Sequence, residues 1–313
     1  MEYLEKIRLR DGRECILRNG VKSDGTAALT VFILTHEQTD FLLSYPDEST
    51  KTVEQEGDYL QAKTDSSNEI EILAVVDGVV AGLAGIDARS PRQKLRHRAD
   101  LGISIDRAYW GQGIVPEAVM EMLRHAFEDI GMTKVWVGYY EGNAKSKRVQ
   151  EKCGFRYQWK SEGVDVPLMH EKRTGHVSSM TKDQWQWDRL YSAAKSVRNE
   201  RRISEYVTCG EVSAAILSGS GRIYTGVCID TCSTLGICAE RNAIFNMITN
   251  GEQEIEKVIA ILPDGSSGAP CGACRELMVQ LMPEKYKDIQ IMMDYKQERI
   301  MTLGELTPEW WIK

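Results

Sequence analysis

Cys238-Ala239-Glu240-Arg241-Asn242-Ala243 and, further on, Pro270-Cys271-Gly272-Ala273-Cys274-Arg275-Glu276-Leu277 decide how the last third of this chain reads. A Cys-x-x-Cys pair can turn both sulfurs toward one ion, and a third thiolate can come from the start of another helix. Three thiolates and Zn²⁺ sum to −1. Two helix N-termini aimed at the site offset part of that charge, and Arg241 can offset more by donating to a sulfur. Glu240 sits two residues from Cys238 and can reach a fourth position without binding the metal itself. Three protein ligands leave that position open to water, whose pKa the ion lowers. Two other readings stay open. A redox Cys-x-x-Cys leaves Cys238 and Glu240 unexplained. A closed structural site needs a fourth ligand, for which Cys228 and Cys232 are near in sequence.

Around these strings the pattern alternates. Val212–Leu217, a Ser218-Gly219-Ser220-Gly221 turn and Arg222–Ile229 predict a hairpin. A helix is expected from about Ala239, with Ala243, Ile244, Met247 and Ile248 on one face and Gly251 past its end. Val258–Leu262 and Ile289–Met293 are unbroken apolar runs, as in strands covered on both faces. Between them a helix opens near Gly272, buries Leu277, Met278 and Leu281, and stops before Pro283. Alternation of this kind predicts an α/β sandwich.

The 313 residues exceed one ordinary domain, so two domains are expected, split at Lys182-Asp183-Gln184: 1–184 and 185–313. The net charge of −7 argues against a chain that coats nucleic acid or anionic membrane. No apolar stretch approaches the roughly 18–20 residues of a membrane helix. Met1–Arg10 has no signal-peptide core, which predicts a cytoplasmic protein whose paired cysteines serve metal or catalysis.

The first part also alternates. Ile70–Val76, Asp77-Gly78 and Val79–Ile86 form a hairpin signal. A basic segment, Arg89 to Arg98, reads as a solvated tip, and Leu101–Ile105 as a strand. Then comes Trp110-Gly111-Gln112-Gly113-Ile114-Val115 and a helix near Pro116, whose stripe is Val119, Met122, Leu123, Ala126, Phe127 and Ile130. His125 falls on its polar side. A glycine turn between strand and helix can hold a pyrophosphate on backbone N–H groups. Val135–Tyr139 predicts a strand, Ala144–Lys152 a helix, and Val166–Lys182 closing strands with a turn at Thr174-Gly175.

Two motifs in that part, Tyr109-Trp110-Gly111-Gln112-Gly113-Ile114 with Glu117-Ala118, and Asn143-Ala144-Lys145-Ser146 through Cys153-Gly154-Phe155, resemble the GNAT superfamily of N-acetyltransferases, in its ribosomal-protein branch. The resemblance implies a mixed sheet with flanking helices that binds acetyl-CoA. The pyrophosphate would lie on the N–H groups of Gln112, Gly113, Ile114 and Val115, and Asn143 and Ser146 would touch the pantetheine or phosphate arm. Val115 replaces the usual Gly or Ala, and Gln150 replaces a thiolate-protonating tyrosine. The acceptor amine needs a base, for which Asp100 and Glu141 are candidates.

Thr225-Gly226-Val227, Cys238-Ala239-Glu240-Arg241-Asn242-Ala243 and Pro270-Cys271-Gly272-Ala273-Cys274-Arg275 resemble the cytidine deaminase superfamily, near the three-cysteine cytidine and blasticidin-S deaminases. The resemblance implies a three-layer α-β-α sandwich. Cys238, Cys271 and Cys274 would hold zinc, with Arg241 behind them and Glu240 as proton shuttle in hydrolytic deamination of a cytosine-type nucleoside. It also implies a homo-oligomer. Cys228 and Asp230 stand nearest the family's ribose-binding Asn-x-Glu, and Gly210-Glu211-Val212 replaces the aromatic-Pro-Val segment that lines the base pocket, so deamination is expected with a substrate other than free cytidine, a modified cytosine nucleoside. A nucleoside antibiotic is the rival substrate, with the acetyltransferase half then degenerate or a binding module.

Overall fold

A computed structural model describes residues 3–42, 44–45, 51–89, 92, 94–166 and 171–311. The chain divides into two compact units, Met1–Gln184 and Trp185–Lys313. A helix, Lys182–Val197, begins at the joint read from the sequence.

The first unit is one eight-stranded sheet. Its strands are β1 (Leu4–Arg8), β2 (Glu14–Asn19), β3 (Ile70–Val76), β4 (Val79–Ala88), β5 (Arg98–Ile105), β6 (Lys134–Tyr140), β7 (Arg156–Val166) and β8 (Glu171–Thr181), in the order β1-β2-β3-β4-β5-β6-β8-β7. Asp77 and Gly78 turn β3 into β4 with φ of 51° and 79°, the left-handed pair that a tight two-residue hairpin needs. Helices α1 (Gly25–Glu37) and α2 (Val53–Asp65) set Ala28, Val31 and Leu60 on Leu73 and Leu83. Helix α3 (Ile114–Arg124) buries Ile114, Ala118, Val119, Met122 and Leu123. Helix α4 spans Ala144–Lys152.

The β5–β6 pairing is the parallel one, and it is short. Arg98, Ala99 and Asp100 pair with Lys134, Val135 and Trp136. Beyond Asp100 both strands continue, β5 to Ile105 and β6 to Tyr140, without pairing to each other. The sheet therefore splits between them.

Two local expectations are corrected. Thr174-Gly175 is no turn: β8 runs straight through it, because both of its neighbours, β6 and β7, pair with that stretch. Of the expected closing segment, residues 167–170 lie outside the described residues, as do 90, 91 and 93 of the basic tip. His125 is not on a polar face. After Arg124 the helix widens into a π turn, His125–Asp129, which shifts the phase of the stripe. His125 is buried, with Nδ1 2.7 Å from Asp129 Oδ2.

The second unit packs α5 (Lys182–Val197) on one face of a sheet and α6 (Ala239–Thr249) and α7 (Gly272–Leu281) on the other. The main strand path is β11 (Ile223–Thr231), β10 (Val207–Ser218), β12 (Ile255–Ile261), β13 (Gln290–Asp294) and β14 (Arg299–Thr302); the short β9 (Arg201–Arg202) pairs with β10 off this path. Trp187, Leu190 and Ala194 meet Ala215, Leu217, Ile259 and Ile261 on the α5 side. Ala243, Ile244, Met247, Met278 and Val279 meet Ile216 and Val258 on the other. This is the three-layer arrangement expected. Ile248 differs: it is exposed, and Leu277 is only half-buried, because the buried arc of each helix is narrower than the apolar run.

Gly226 on β11 brings strand and α6 together. A Cβ there would lie 2.4 Å from Ala243 N and 2.6 Å from Ala239 O. Asn242 Nδ2 donates to Val227 O at 2.9 Å and Asn246 Nδ2 to Thr225 O at 3.3 Å, which stitches the helix along the strand. Gly226→Ala is expected to push α6 outward and to cost about 1–3 kcal/mol, as overpacking does. Chemical denaturation of the variant beside wild type measures it; an unchanged midpoint contradicts the close approach.

Candidate metal centre and glycine turn

Each cysteine string ends in a helix start. Cys238 and Cys271 stand in extended backbone as the N-cap residues of α6 and α7, and Cys274 lies one turn into α7. The approach to Cys238 is fixed by a two-way backbone bridge between Ile229 and Ile237, at 3.0 and 2.9 Å. The Pro270–Cys274 turn is held by Arg275, whose Nε donates to Pro270 O at 2.9 Å and Nη1 to Leu306 O at 3.1 Å. Sequence reasoning gave Arg275, Asn242 and Asn246 no part; only the folded pairing shows what their side chains bind.

Cys238 Sγ lies 3.5 Å from Cys271 Sγ, and Cys271 Sγ 3.5 Å from Cys274 Sγ. All three sulfurs lie within 4.8 Å of one another. Neither Cys228 nor Cys232 joins them. Cys228 is buried on β11, where its sulfur accepts the Val212 N–H at 3.2 Å. Asp230, two residues on, is exposed. Arg241 Nη2 lies 3.9 Å from Cys238 Sγ.

Electrostatics suit a cation. Without one, burial pushes the Cys274 thiol far up, with the Glu240 charge adding to it, and burial also raises Cys238. Burial works against ionising Cys271 too, but the Cys274 backbone N–H and the neighbouring thiols outweigh it and bring that thiol down. Glu240 is 6% exposed, and burial raises its carboxyl. Three soft sulfurs on two positive helix ends fit a thiophilic divalent ion, and the buried acid beside them is not among the donors.

In the first unit, Gly111 and Gly113 have φ of 80° and 93°, and Gly113 is the N-cap of α3 with no side chain capping it. The first N–H groups of α3, around Ile114 and Val115, are thus available to an anion. Lys145 Nζ sits 3.8 Å from the centre of the Trp110 ring and clips the start of α4 to this turn. Asn143 Oδ1 caps α4 by accepting the Ser146 N–H at 3.0 Å, and Gln150 Nε2 donates to Ser146 Oγ at 3.3 Å and to Gly138 O at 3.2 Å. Gln112 gives its carbonyl to Arg10 N–H at 3.2 Å. The two proposed bases differ. Asp100 is taken by Arg89, whose Nε and Nη2 reach it at 2.8 and 2.7 Å, and Glu141 is exposed.

Residues 186–289 match the cytidine and deoxycytidylate deaminase zinc-binding region, and residues 16–156 the acetyltransferase (GNAT) domain. The cytidine deaminase of Halalkalibacterium halodurans is 32% identical over 101 residues, which is 31% of this chain and 74% of that protein. Blasticidin-S deaminase of Bacillus cereus is 30% identical over 106 residues, again 31% and 74%. YdaF of Bacillus subtilis (strain 168), provisionally named a ribosomal N-acetyltransferase, is 27% identical over 123 residues; the match spans 39% of this chain and 64% of that protein's length. The chain joins two enzyme domains. It belongs to the cytidine deaminase family through its second unit and carries a GNAT acetyltransferase domain in its first.

Cys271→Ser is expected to leave purified protein with far less than about one zinc per chain. Arg241→Ala should keep the stoichiometry and weaken zinc affinity about 10–100-fold, as loss of a supporting hydrogen bond does. Elemental analysis and competition with a chelating dye read both; full zinc occupancy in Cys271→Ser removes that sulfur from the ligand set.

Proposed function

We propose that residues 185–313 catalyse zinc-dependent hydrolytic deamination of a cytosine-type nucleoside and residues 1–184 acetyl-CoA-dependent N-acetyl transfer. The observation that carries the first is the meeting of Cys238, Cys271 and Cys274 with buried Glu240 beside them. Bound zinc supplies the Lewis acidity that makes water a nucleophile near neutral pH. Glu240 would take one proton from the attacking water and give it to the ring nitrogen, then carry the remaining proton of the added hydroxyl to the amino group, so that the carbon–nitrogen bond breaks, ammonia leaves and the carbonyl forms. Its raised affinity for a proton suits that carriage. Cys228 and Asp230 border the sugar on this reading. Cys228 has no amide to offer a ribose hydroxyl, and its sulfur already accepts from Val212. That observation favours a second reading, a nucleoside antibiotic in place of cytidine, as does the likeness to a blasticidin-S deaminase.

For the first unit, the uncapped glycine turn and the split between β5 and β6 support a bound acetyl-CoA, with its pyrophosphate on Gln112 to Val115 and its arm near Asn143 and Ser146. We further propose a homo-oligomer through the second unit, where Leu235, Phe245 and Ile248 are exposed apolar side chains. A reducing, cytoplasmic setting suits eight cysteines that are all free. No helix among the described residues is long and apolar enough to cross a membrane.

Glu240→Gln should lower ammonia release from cytidine, deoxycytidine or blasticidin S by about 10²-fold or more while zinc stays bound. Wild-type turnover in that variant refutes the shuttle. Acetyl-CoA at about 100 times its dissociation constant should stabilise the protein by about 2.7 kcal/mol. Gly113→Ala, which forces a side chain onto a left-handed backbone, should erase most of the shift in melting temperature. No shift for wild type at millimolar acetyl-CoA contradicts cofactor binding.

A further inference from the structure

The sheet face beneath α2 in the first unit is crowded with charge, and nearly all of it is matched. Lys63 binds Glu69 at 2.8 Å and also Asp87; Lys51 binds Glu56 at 2.9 Å; Arg89 holds Asp100 and lies over the Trp136 ring. The carboxyl of Glu71, on β3 in the same face, has no hydrogen-bond or ion-pair partner among the described residues, while its backbone carbonyl accepts the Gly20 N–H at 3.0 Å. Its place is unusual. In the strand register Glu71 stands opposite Gly85, and Gly85 opposite Gly102. A Cβ on Gly85 would lie 2.3 Å from Glu71 Oε2, so the carboxyl lies across that bare glycine toward β5. A Cβ on Gly102 would meet nothing within 4 Å. Gly102 is two residues past Asp100, the last β5 residue paired with β6. Strands sit about 4.8 Å apart, so a lane free of side chains runs one strand spacing from the carboxyl to the lip of the split.

Resting on the acetyl-transfer reading of this unit, we propose that Glu71 is the base that takes the proton from the acceptor amine, directly or through one water. The ammonium gives one proton to the Glu71 carboxylate, which frees the nitrogen lone pair. Nitrogen then bonds the acyl carbon, the carbon–sulfur bond breaks with its electron pair on sulfur, and the second amine proton ends on that sulfur as thiol. Glu71 returns its proton to solvent. The groups facing Glu71 are Asp87, Lys63, Glu56, Lys51 and Tyr59. Burial raises the carboxyl to about 8; Asp87 and Glu56 add to this, and Lys63 and Lys51 oppose it. Below that value the carboxyl is protonated and inactive; above it the base is ready. Rate should therefore rise with pH and level off above about 8.

The test uses the full chain with acetyl-CoA and two acceptor probes, a peptide with N-terminal alanine and a small aliphatic diamine, read as thiol released. Glu71→Gln should lower kcat/KM by about 10²-fold or more and abolish the rise toward pH 8, with acetyl-CoA affinity within about twofold of wild type. Glu71→Asp should restore part of the rate. Independently of activity, carboxyl-carbon NMR should show one glutamate titrating near 8 in wild type and absent from Glu71→Gln. Wild-type rate and pH profile in Glu71→Gln, with acetyl-CoA still bound, overturn the role of Glu71 alone. A Glu71 carboxyl titrating below about 5 also overturns it. If wild type binds no acetyl-CoA or acetylates neither probe, the acetyl-transfer reading itself fails and the base falls with it.

Discussion

The second unit depends on one close approach. Two helix starts have to meet at sulfur distance, and α6 can come near enough only because β11 presents Gly226 to it. Everything chemical in that unit is delivered from there. Cys238 leads the helix, Glu240 follows inside its first turn, and α7 brings Cys271 and Cys274 to the same spot. Burial then does double duty. It makes Cys238 and Cys274 reluctant to ionise alone, so a cation is the partner that makes their charge tolerable. It also keeps a proton on Glu240 longer than water would.

The first unit uses the opposite device, separation in place of approach. Pairing between β5 and β6 stops after Asp100, and the glycine turn and α3 follow directly from the freed end of β5. Lys145 over Trp110 keeps the start of α4 beside that turn. A strand split, an uncapped helix end and a second helix start thus belong to one continuous stretch of chain, from Arg98 to Ser146. That is why the motifs that mark the domain crowd into the same stretch of sequence.

Much of this was legible beforehand, because the informative residues act locally. Asp77-Gly78 fixes a turn by its own backbone preference, and Gly113 and Gly131 bracket α3 and its π extension. Cys238, Cys271 and Cys274 announce themselves by spacing. What stayed hidden was set by partners distant in sequence. Thr174-Gly175 looks like a turn until strands on both sides claim it. His125 looked outward because one π turn shifts the helical phase, a change without a residue signature. Glu71 alternates with isoleucines as any half-exposed strand carboxylate would; its neighbour Gly85 matters only once the register is known. Asp100 looked available, and the Arg89 clamp that occupies it lies across a hairpin.

The split between β5 and β6 has one more consequence. Strand backbones left unpaired at the rim of a sheet invite other chains to add on, which is a hazard for solubility. Here the unpaired lengths of β5 and β6 lie inside the sheet, each still paired on its other side, to β4 and β8, so the interruption adds no outer edge at which the sheets of two chains could join.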